Sequence, residues 1–261
     1  MLPKLRIIYY LQHSLGLKQD CYTLDISLGC SGWIYGLSTI SSLLSSSGLK
    51  KGLLLVGDTI SKICSSEDKS TYPLFGDAGT ATVVELSLNS SLKFHTSSNG
   101  EGYNAIIVPE GGYRNKVTQD SLISNAIEEG ICRSKLQLIL DGMDVFLFGI
   151  SQDPESVDYL ISNFGIDKDT VDFFTFHQAN KFMNEKIRKK LKLPAEKVPY
   201  SLKDFGNTSS ASIPLTMVIE MKNELKTKTL NHIACGFGVG LSWGSVYFNT
   251  DKITVSTLIE L

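Results

Sequence analysis

Cys30 lies in the segment SLGCSG, between a predicted strand and a predicted helix. Residues 21–26 (CYTLDI) are predicted to form the strand, and the helix is predicted to begin near Ser31. Free amides at a helix N-terminus lower the pKa of such a thiol, and the same amides can bind an oxyanion. We therefore predict that Cys30 is a nucleophile. We interpret the remaining cysteines as small buried apolar residues: Cys21, Cys64, Cys132 and Cys235.

Two further residues occupy positions that resemble the position of Cys30. His177 directly follows the apolar segment FFTF, so it is expected at the carboxyl end of a strand. A lone histidine beside an apolar run is more often a core residue, and its place at a strand end is what favours a functional role. Asn207 follows a glycine in FGNTSSAS, a pattern that is also typical of a simple turn.

A cysteine, a neutral imidazole and an amide donor in one cavity would suit thioester chemistry. The thiolate can carry an acyl group, while the imidazole and amide N–H groups can bind a developing enolate oxygen. The sequence predicts this chemistry if Cys30, His177 and Asn207 lie together.

The elements that must position these residues alternate between strands and helices. In the first half they are a helix over 31–46, a strand over 52–57 covered on both faces, and a glycine turn with a strand within 74–86. In the second half they are a helix over 141–165, a strand over 171–176, a helix with a basic face over 180–191, a strand over 197–202, a helix within 206–225, and a strand–turn–strand unit over 231–248. The glycine-containing stretch 97–121 is predicted to be a functional loop.

The two halves follow the same order of strand, polar turn, helix, strand, glycine turn and strand. This similarity predicts an internal duplication in which Asn207 is the counterpart of Cys30. The alternation favours an α/β fold over a sandwich or a helical bundle. We expect a first half over 1–140 that carries Cys30 and a second half over 141–261 that carries His177 and Asn207.

Composition excludes several classes of protein. The net charge of −2, from 25 basic and 27 acidic residues, gives no global positive field for nucleic acid or an anionic membrane. No apolar run is long enough to span a bilayer. Five cysteines without a CxxC motif predict neither a zinc site nor a disulfide framework, so a reducing cytoplasm is expected.

Six motifs carry a resemblance to a known family. They are SLGCSGWIYGL, GLLLVGDTIS, LFGDAGTA, FHQAN, FGNTSSAS and GFGVGLSWGSV. In this order and at these intervals the chain resembles β-ketoacyl-acyl carrier protein synthase III of the thiolase superfamily, over residues 1–248. The resemblance implies a thiolase-like duplicated fold with stacked helix and sheet layers.

The resemblance also implies roles for particular residues. A Cys-His-Asn triad falls on Cys30, His177 and Asn207, and the oxyanion hole falls on the backbone N–H groups of Cys30 and Val239. Val239 stands where many relatives have glycine. The basic helix implies a docking surface for an acidic acyl carrier, with the following candidate residues: Lys181, Arg188 and Lys189.

The implied reaction is a decarboxylative Claisen condensation that begins an acyl chain. Cys30 would take an acyl group from an acyl-CoA or acyl-carrier donor, and malonyl-acyl carrier protein would extend it to a 3-oxoacyl thioester. The resemblance implies no metal or redox cofactor, thioesters of CoA or of the carrier's phosphopantetheine as substrates, and a homodimer formed through the first-half sheet.

The chain departs from the family at two places. It opens at LPKLRIIYYLQHSLGL, which resembles the helix after the family's first strand–helix–strand unit, so we expect an incomplete first half and low or no condensing activity of the chain alone. Phe182 stands where the family often has a basic residue. Three alternatives stay open: an acyltransferase of this fold with another acceptor, a 3-hydroxy-3-methylglutaryl-CoA synthase, and a non-catalytic fragment or partner subunit.

Overall fold

The computed structural model describes residues 7–87, 90 and 92–260. The helices that we number are α1 (Ile7–Ser14), α2 (Gly32–Ser46), α3 (Gly142–Phe164), α4 (Lys181–Lys190), α5 (Leu202–Phe205), α6 (Ser212–Glu220) and α7 (Lys222–Thr227). The strands are β1 (Lys51–Asp58), β2 (Ala78–Glu85), β3 (Lys93–Ser98), β4 (Ile106–Ile107), β5 (Asn125–Glu128), β6 (Ile131–Arg133), β7 (Ile139–Leu140), β8 (Phe173–Phe176), β9 (Thr229–Gly238) and β10 (Ser242–Asp251). No described helix is both long enough and apolar enough to cross a membrane.

The central sheet has four strands in the order β3-β10-β9-β8, with β8 parallel to β9 and the other pairs antiparallel. Side chains of β9 alternate between its two faces, as the period of a strand requires. Ile233 and Phe237 pack into a core with α3 and α4, whereas Ala234 packs into a core with α2, α6 and α7. The sheet is therefore covered by helices on both faces.

The first half contains a separate two-stranded sheet in which β1 pairs antiparallel with β2 in continuous register. Helix α2 and both strands confirm their predictions. Within this single chain β1 is not covered on both faces, because Leu53 is 44% exposed and no residue of the strand is fully buried.

Two predicted strands are absent from the described residues. Residues 21–26 run without pairing to any described strand, and Leu24 and Ile26 are exposed. Residues 197–202 instead follow a 3₁₀ turn and lead into α5 through local hydrogen bonds such as Phe205 N to Ser201 O. Pro199 in this segment also lacks the N–H group that a ladder requires. In both places a strand-like composition had no neighbouring strand to complete the backbone hydrogen bonds.

The two halves share a sheet, because β3 from the predicted first half pairs with β10 of the second. Each half also repeats a helix followed by an antiparallel pair of strands, α2 with β1–β2 and α6–α7 with β9–β10. The division at residue 140 stays a prediction. It falls directly before Asp141, whose carboxylate caps α3 by accepting hydrogen bonds from Met143 N and Asp144 N.

Asp153 in α3 is fully buried, and neither of its carboxylate oxygens has a hydrogen-bond partner among the described residues. Burial raises its pKa to about 8, whereas an aspartate in an unfolded chain has a pKa of about 3.9. The folded state therefore binds the proton more tightly than the unfolded state. It follows that the free energy of unfolding falls as the pH rises from about 4 to about 8.

The Asp153→Asn variant is expected to lose most of this decline, because the amide carries no titrating proton. Urea unfolding at about pH 5 and about pH 8 measures the difference, which should be on the order of a few kcal/mol smaller in the variant. Asp158→Asn, on an exposed position of the same helix, serves as the control and should behave like the wild type. An equal pH dependence of stability in wild type and Asp153→Asn would contradict the prediction.

Candidate functional site

Cys30, His177 and Asn207 line one cavity of about 1100 Å³. The cavity lies between the first and second halves and is also lined by Asp58, Ser209 and Val239 together with many aliphatic side chains. The structure therefore brings the three residues together, as predicted from their positions at strand and turn ends.

Cys30 precedes α2 in a tight turn in which Gly32 N donates to Gly29 O at 2.7 Å. The end of β9 approaches the sulfur so closely that a Cβ atom on Gly238 would lie 3.1 Å from Cys30 Sγ. Only glycine at position 238 leaves room for the nucleophile in this arrangement. Within the described residues, the side-chain partner of the Cys30 sulfur is Ser209 Oγ, at 3.8 Å.

The pKa of Cys30 differs from the expectation. Burial raises it from an ordinary value of 9.0 to about 12, the hydroxyl of Ser209 acts in the opposite direction, and the negative charge of Asp58 raises it further. The prediction of a thiolate stabilised in the free protein is therefore wrong. Burial of the sulfur and the negative charge of Asp58 thus favour the neutral thiol in the free protein.

His177 directly follows β8 and is held by its backbone, with His177 N donating to Cys235 O at 2.8 Å. The ring packs edge-on against Phe237, with centroids 5.6 Å apart. Burial lowers the pKa of His177 to about 3, so the imidazole is neutral at physiological pH.

The neutral ring is oriented by Ser212. The distance between His177 Nδ1 and Ser212 Oγ is 2.7 Å, and the same hydroxyl oxygen accepts a hydrogen bond from Gln178 N at 3.3 Å. Ser212 can donate its hydrogen to Nδ1, which favours the tautomer with the ring proton on Nε2. His177 then presents an N–H donor without carrying a charge.

Asn207 is fixed by backbone contacts with the loop before β2. Asn207 N donates to Leu74 O at 2.8 Å, and Gly76 N donates to Asn207 O at 3.0 Å. Its side-chain oxygen accepts from Ser209 N at 2.9 Å. Because that oxygen is engaged, the amide nitrogen is the end of the side chain that can donate to a ligand.

Val239 directly follows β9 and lines the cavity beside Cys30. Its carbonyl accepts from Ser242 Oγ at 2.7 Å, and that hydroxyl lies 2.7 Å from Ser31 Oγ at the start of α2. This chain of contacts ties the glycine turn to the residue after Cys30. The assignment of the backbone N–H groups of Cys30 and Val239 as an oxyanion hole stays a prediction.

The three candidate carrier-binding residues on the basic helix α4 differ in their exposure and contacts. Lys181 and Lys189 are exposed. The Arg188 guanidinium instead pairs with Glu185 at 2.8 Å and donates to Leu193 O at 2.7 Å. These contacts give Arg188 a structural role and leave the lysines as the exposed positive charges.

Phe182 is 61% exposed. It stands at the position where a basic residue was expected from the resemblance. Its ring stacks on Phe146 of α3 with centroids 5.6 Å apart, and Lys186 Nζ lies 5.3 Å from its centroid. An exposed aromatic surface with a lysine above it therefore occupies this end of α4.

The interpretation of the remaining cysteines holds for two of four. Cys64 and Cys235 are buried, whereas Cys21 is exposed and Cys132 is partly exposed. Cys21 lies in the segment whose strand prediction is wrong, which explains why it lacks the expected cover.

The sequence did not reveal the roles of Ser209 and Ser212. Both lie in the segment SSAS of the motif FGNTSSAS, in which the sequence assigned a role to Asn207 alone. The concentration of hydroxyl residues next to a candidate catalytic asparagine was the available signal.

Comparison with known proteins identifies one family. The profile described as 3-oxoacyl-[acyl-carrier-protein (ACP)] synthase III matches residues 24–100, and the profile of its C-terminal part matches residues 161–250. A putative 3-oxoacyl-[acyl-carrier-protein] synthase 3 of Campylobacter jejuni is 32% identical over 96% of this chain and 70% of its own length. A beta-ketoacyl-[acyl-carrier-protein] synthase III 1 of Halalkalibacterium halodurans is 35% identical over 90% of this chain and 68% of its own length.

Solved structures agree with this result. The crystal structure of 3-oxoacyl-(acyl-carrier protein) synthase from Burkholderia xenovorans LB400 matches with a TM-score of 0.86 and 41% identity, over 94% of this chain and 69% of that one. A crystal structure of a 3-oxoacyl-(acyl-carrier-protein) synthase III matches with a TM-score of 0.89 and 34% identity, over 93% of this chain and 73% of that one. These matches confirm the thiolase-like α/β fold. The chain spans about 70% of the length of the curated relatives.

Proposed function

The chain belongs to the 3-oxoacyl-[acyl-carrier-protein] synthase III family, and from this premise we propose that it catalyses a decarboxylative Claisen condensation. The substrates are an acyl-CoA or acyl-carrier donor and malonyl-acyl carrier protein, and the product is a 3-oxoacyl thioester. The observation that carries the proposal is the meeting of Cys30, His177 and Asn207 on one cavity, with the imidazole neutral.

In the first stage, the Cys30 sulfur attacks the carbonyl carbon of the donor thioester. The new C–S bond forms, the bond to the donor's sulfur breaks, and the proton of Cys30 leaves with the departing thiol. The backbone N–H groups of Cys30 and Val239 bind the oxyanion of the tetrahedral intermediate. Because Cys30 rests as a neutral thiol, its deprotonation is coupled to arrival of the thioester.

In the second stage, the carboxylate of the malonyl group leaves as CO₂ and its bonding electrons form an enolate. The N–H groups of His177 and Asn207 stabilise the enolate oxygen. The enolate carbon then attacks the acyl-Cys30 carbonyl, a C–C bond forms and the C–S bond to Cys30 breaks. Cys30 leaves as a thiolate and takes up one proton from water, which restores the neutral thiol. A neutral histidine suits this role because it donates a hydrogen bond to the enolate oxygen and keeps its own proton.

The acyl carrier is proposed to dock on α4, where Lys181, Lys186 and Lys189 are exposed and Lys186 lies over the ring of Phe182. An acidic carrier helix would meet these positive charges and cover the aromatic surface formed with Phe146. Arg188 is left out of this surface, because Glu185 already neutralises it.

A second copy of the chain is proposed to cover the β1–β2 sheet. Among the described strands these two pair only with each other, and a two-stranded sheet alone is marginally stable in water. Val83 of β2 is 70% exposed and Leu53 of β1 is 44% exposed. Exposed apolar side chains on a sheet are commonly covered by association.

We therefore expect the chain to behave as a dimer when its mass is measured by size-exclusion chromatography with light scattering. Val83→Lys should shift the chain toward monomer, because a charge would have to be buried in the contact. Ile127→Lys, which changes an exposed residue of the small β5–β6 hairpin, is the control and should leave the mass unchanged. A wild-type monomer at micromolar concentration would refute the dimer.

Product analysis tests the proposed reaction. The chain is incubated with an acyl-CoA and malonyl-acyl carrier protein, and the carrier is analysed by mass spectrometry while CO₂ release is followed. The proposal predicts a 3-oxoacyl carrier formed together with CO₂. Transfer of the acyl group to an added alcohol or amine without CO₂ release would identify an acyltransferase instead, and absence of both products with a panel of acyl-CoAs would support a non-catalytic role.

A further inference from the structure

Ser209 contacts two of the three residues of the proposed triad. Its hydroxyl lies 3.8 Å from Cys30 Sγ, and its backbone N donates to Asn207 Oδ1 at 2.9 Å. The residue is only 4% exposed. It is therefore built into the centre of the site and is not a surface hydroxyl.

The backbone of Ser209 is strained. Its φ of 51° lies in the left-handed region, which glycine adopts at less cost than any residue with a Cβ atom. A serine in this conformation is maintained only where the surrounding contacts determine it, and such positions concentrate at functional sites. The strained backbone therefore marks Ser209 as a candidate functional residue.

The hydroxyl of Ser209 has one hydrogen-bond partner among the described residues, the sulfur of Cys30. The neighbouring hydroxyl, on Ser210, is directed elsewhere, because it donates to Asp58 Oδ2 at 2.7 Å. Asp58 also accepts from Ser210 N at 3.2 Å, which anchors the turn that carries Ser209 to the end of β1. Asn207 and Asp58 thus both anchor the turn that carries Ser209, and the Ser209 hydroxyl lies against Cys30.

We propose that Ser209 is a further catalytic residue, whose hydroxyl donates a hydrogen bond to the Cys30 sulfur as its negative charge develops. This inference rests on the proposed function, in which Cys30 is the nucleophile. A hydrogen bond to a charged acceptor is stronger than one between neutral groups, so the contact gains strength when the thiol loses its proton. The direction of the effect agrees with the pKa of Cys30, which burial raises and Ser209 lowers.

Two variants separate the hydroxyl from the backbone. Ser209→Ala removes the hydroxyl and keeps the strained Cβ, whereas Ser209→Gly removes the hydroxyl and relieves the strain. The rate of alkylation at Cys30 by iodoacetamide is measured from about pH 7 to about pH 10 by mass spectrometry of the Cys30 peptide. The rate of acyl transfer from an acyl-CoA to Cys30 is measured on the same samples.

In both variants Cys30 is expected to be alkylated more slowly than in the wild type, and by the same factor. If the thiolate fraction falls about tenfold, the greater nucleophilicity of the more basic thiolate offsets part of the loss, so the rate falls about threefold. Because this pH range lies below the pKa of Cys30, the rate in each variant should be lower by the same factor at every pH, whereas a structural disturbance that admits water to the sulfur would lower the thiol pKa and raise the rate. Acyl transfer should fall about tenfold or more, as loss of a hydrogen bond to a charged group predicts.

An unchanged alkylation profile in both variants would overturn the role of Ser209. A loss in Ser209→Ala that is absent in Ser209→Gly would assign the effect to the backbone and would also overturn it. If alkylation slows in both variants while wild-type Cys30 accepts no acyl group from any thioester, the proposed function fails and the contact between Ser209 and the sulfur stands. The experiment therefore distinguishes the two failures.

Discussion

The Cys30→Ala variant is expected to form no acyl adduct and to lose condensation by several orders of magnitude. Among the residues that the structure describes, Cys30 is the one cysteine that lines the large cavity, so no other cavity-lining thiol there can replace it as the covalent carrier. Alanine keeps the Cβ atom, so the close approach of Gly238 to this position is retained. Incubation with an acyl-CoA followed by intact-mass measurement shows whether the adduct forms.

Cys21→Ala is the matched control for this variant, because Cys21 is exposed and does not line the cavity that contains Cys30. It should acylate and condense at the wild-type rates. Condensation by Cys30→Ala at a rate comparable to that of the control would mean that the reaction proceeds without a covalent acyl-Cys30 intermediate.

The second large effect is expected at His177 and Asn207. Replacement of either by alanine should leave acyl transfer to Cys30 intact and lower decarboxylation of malonyl-acyl carrier protein by roughly 10²–10³, the usual loss when one oxyanion donor is removed. The reason is that these side chains stabilise the enolate, whereas the oxyanion of the first stage is bound by backbone amides. CO₂ release and the acyl-Cys30 adduct are measured separately in each variant.

Asn207→Asp makes this test more specific. The aspartate has the shape of asparagine and can still accept from Ser209 N, so the local turn is preserved while the amide donor is lost. It should therefore decarboxylate as poorly as Asn207→Ala. Decarboxylation at the wild-type rate in any of the three variants would show that the residue changed does not stabilise the enolate.

The sequence was sufficient to predict which residues meet in the site. Cys30 and His177 were recognised because each stands beside a predicted element end, and Asn207 because its surroundings repeat those of Cys30. The structure brings all three to one cavity, even though the strand predicted before Cys30 is absent. The turn and helix that follow Cys30 are sufficient to position it.

Properties that depend on tertiary neighbours were not predictable from local patterns. The pKa of Cys30 is set by burial among residues distant in sequence, so the local expectation based on a helix N-terminus had the wrong direction. The pairing of Arg188 with Glu185 is a different case, because two opposite charges three residues apart on one helix are readable from the sequence and were overlooked. Residues 21–26 have the composition of a strand, but a strand also requires a partner that local sequence does not show.

The contacts of Ser209 belong to the same category. Its separation of 179 residues from Cys30 gives no sequence signal, and the left-handed backbone that aims its hydroxyl follows from Asn207 and the loop that holds it. Only the assembled cavity shows that this hydroxyl and the nucleophile face each other.

The central claim is that Cys30 carries the acyl group, and peptide-resolved mass spectrometry tests it most directly. The wild-type chain is incubated with a panel of acyl-CoAs, digested, and examined for the acyl mass at each of its five cysteines. We predict one adduct, on the peptide that contains Cys30. An adduct on Cys64 or Cys235 with Cys30 unmodified would contradict the account.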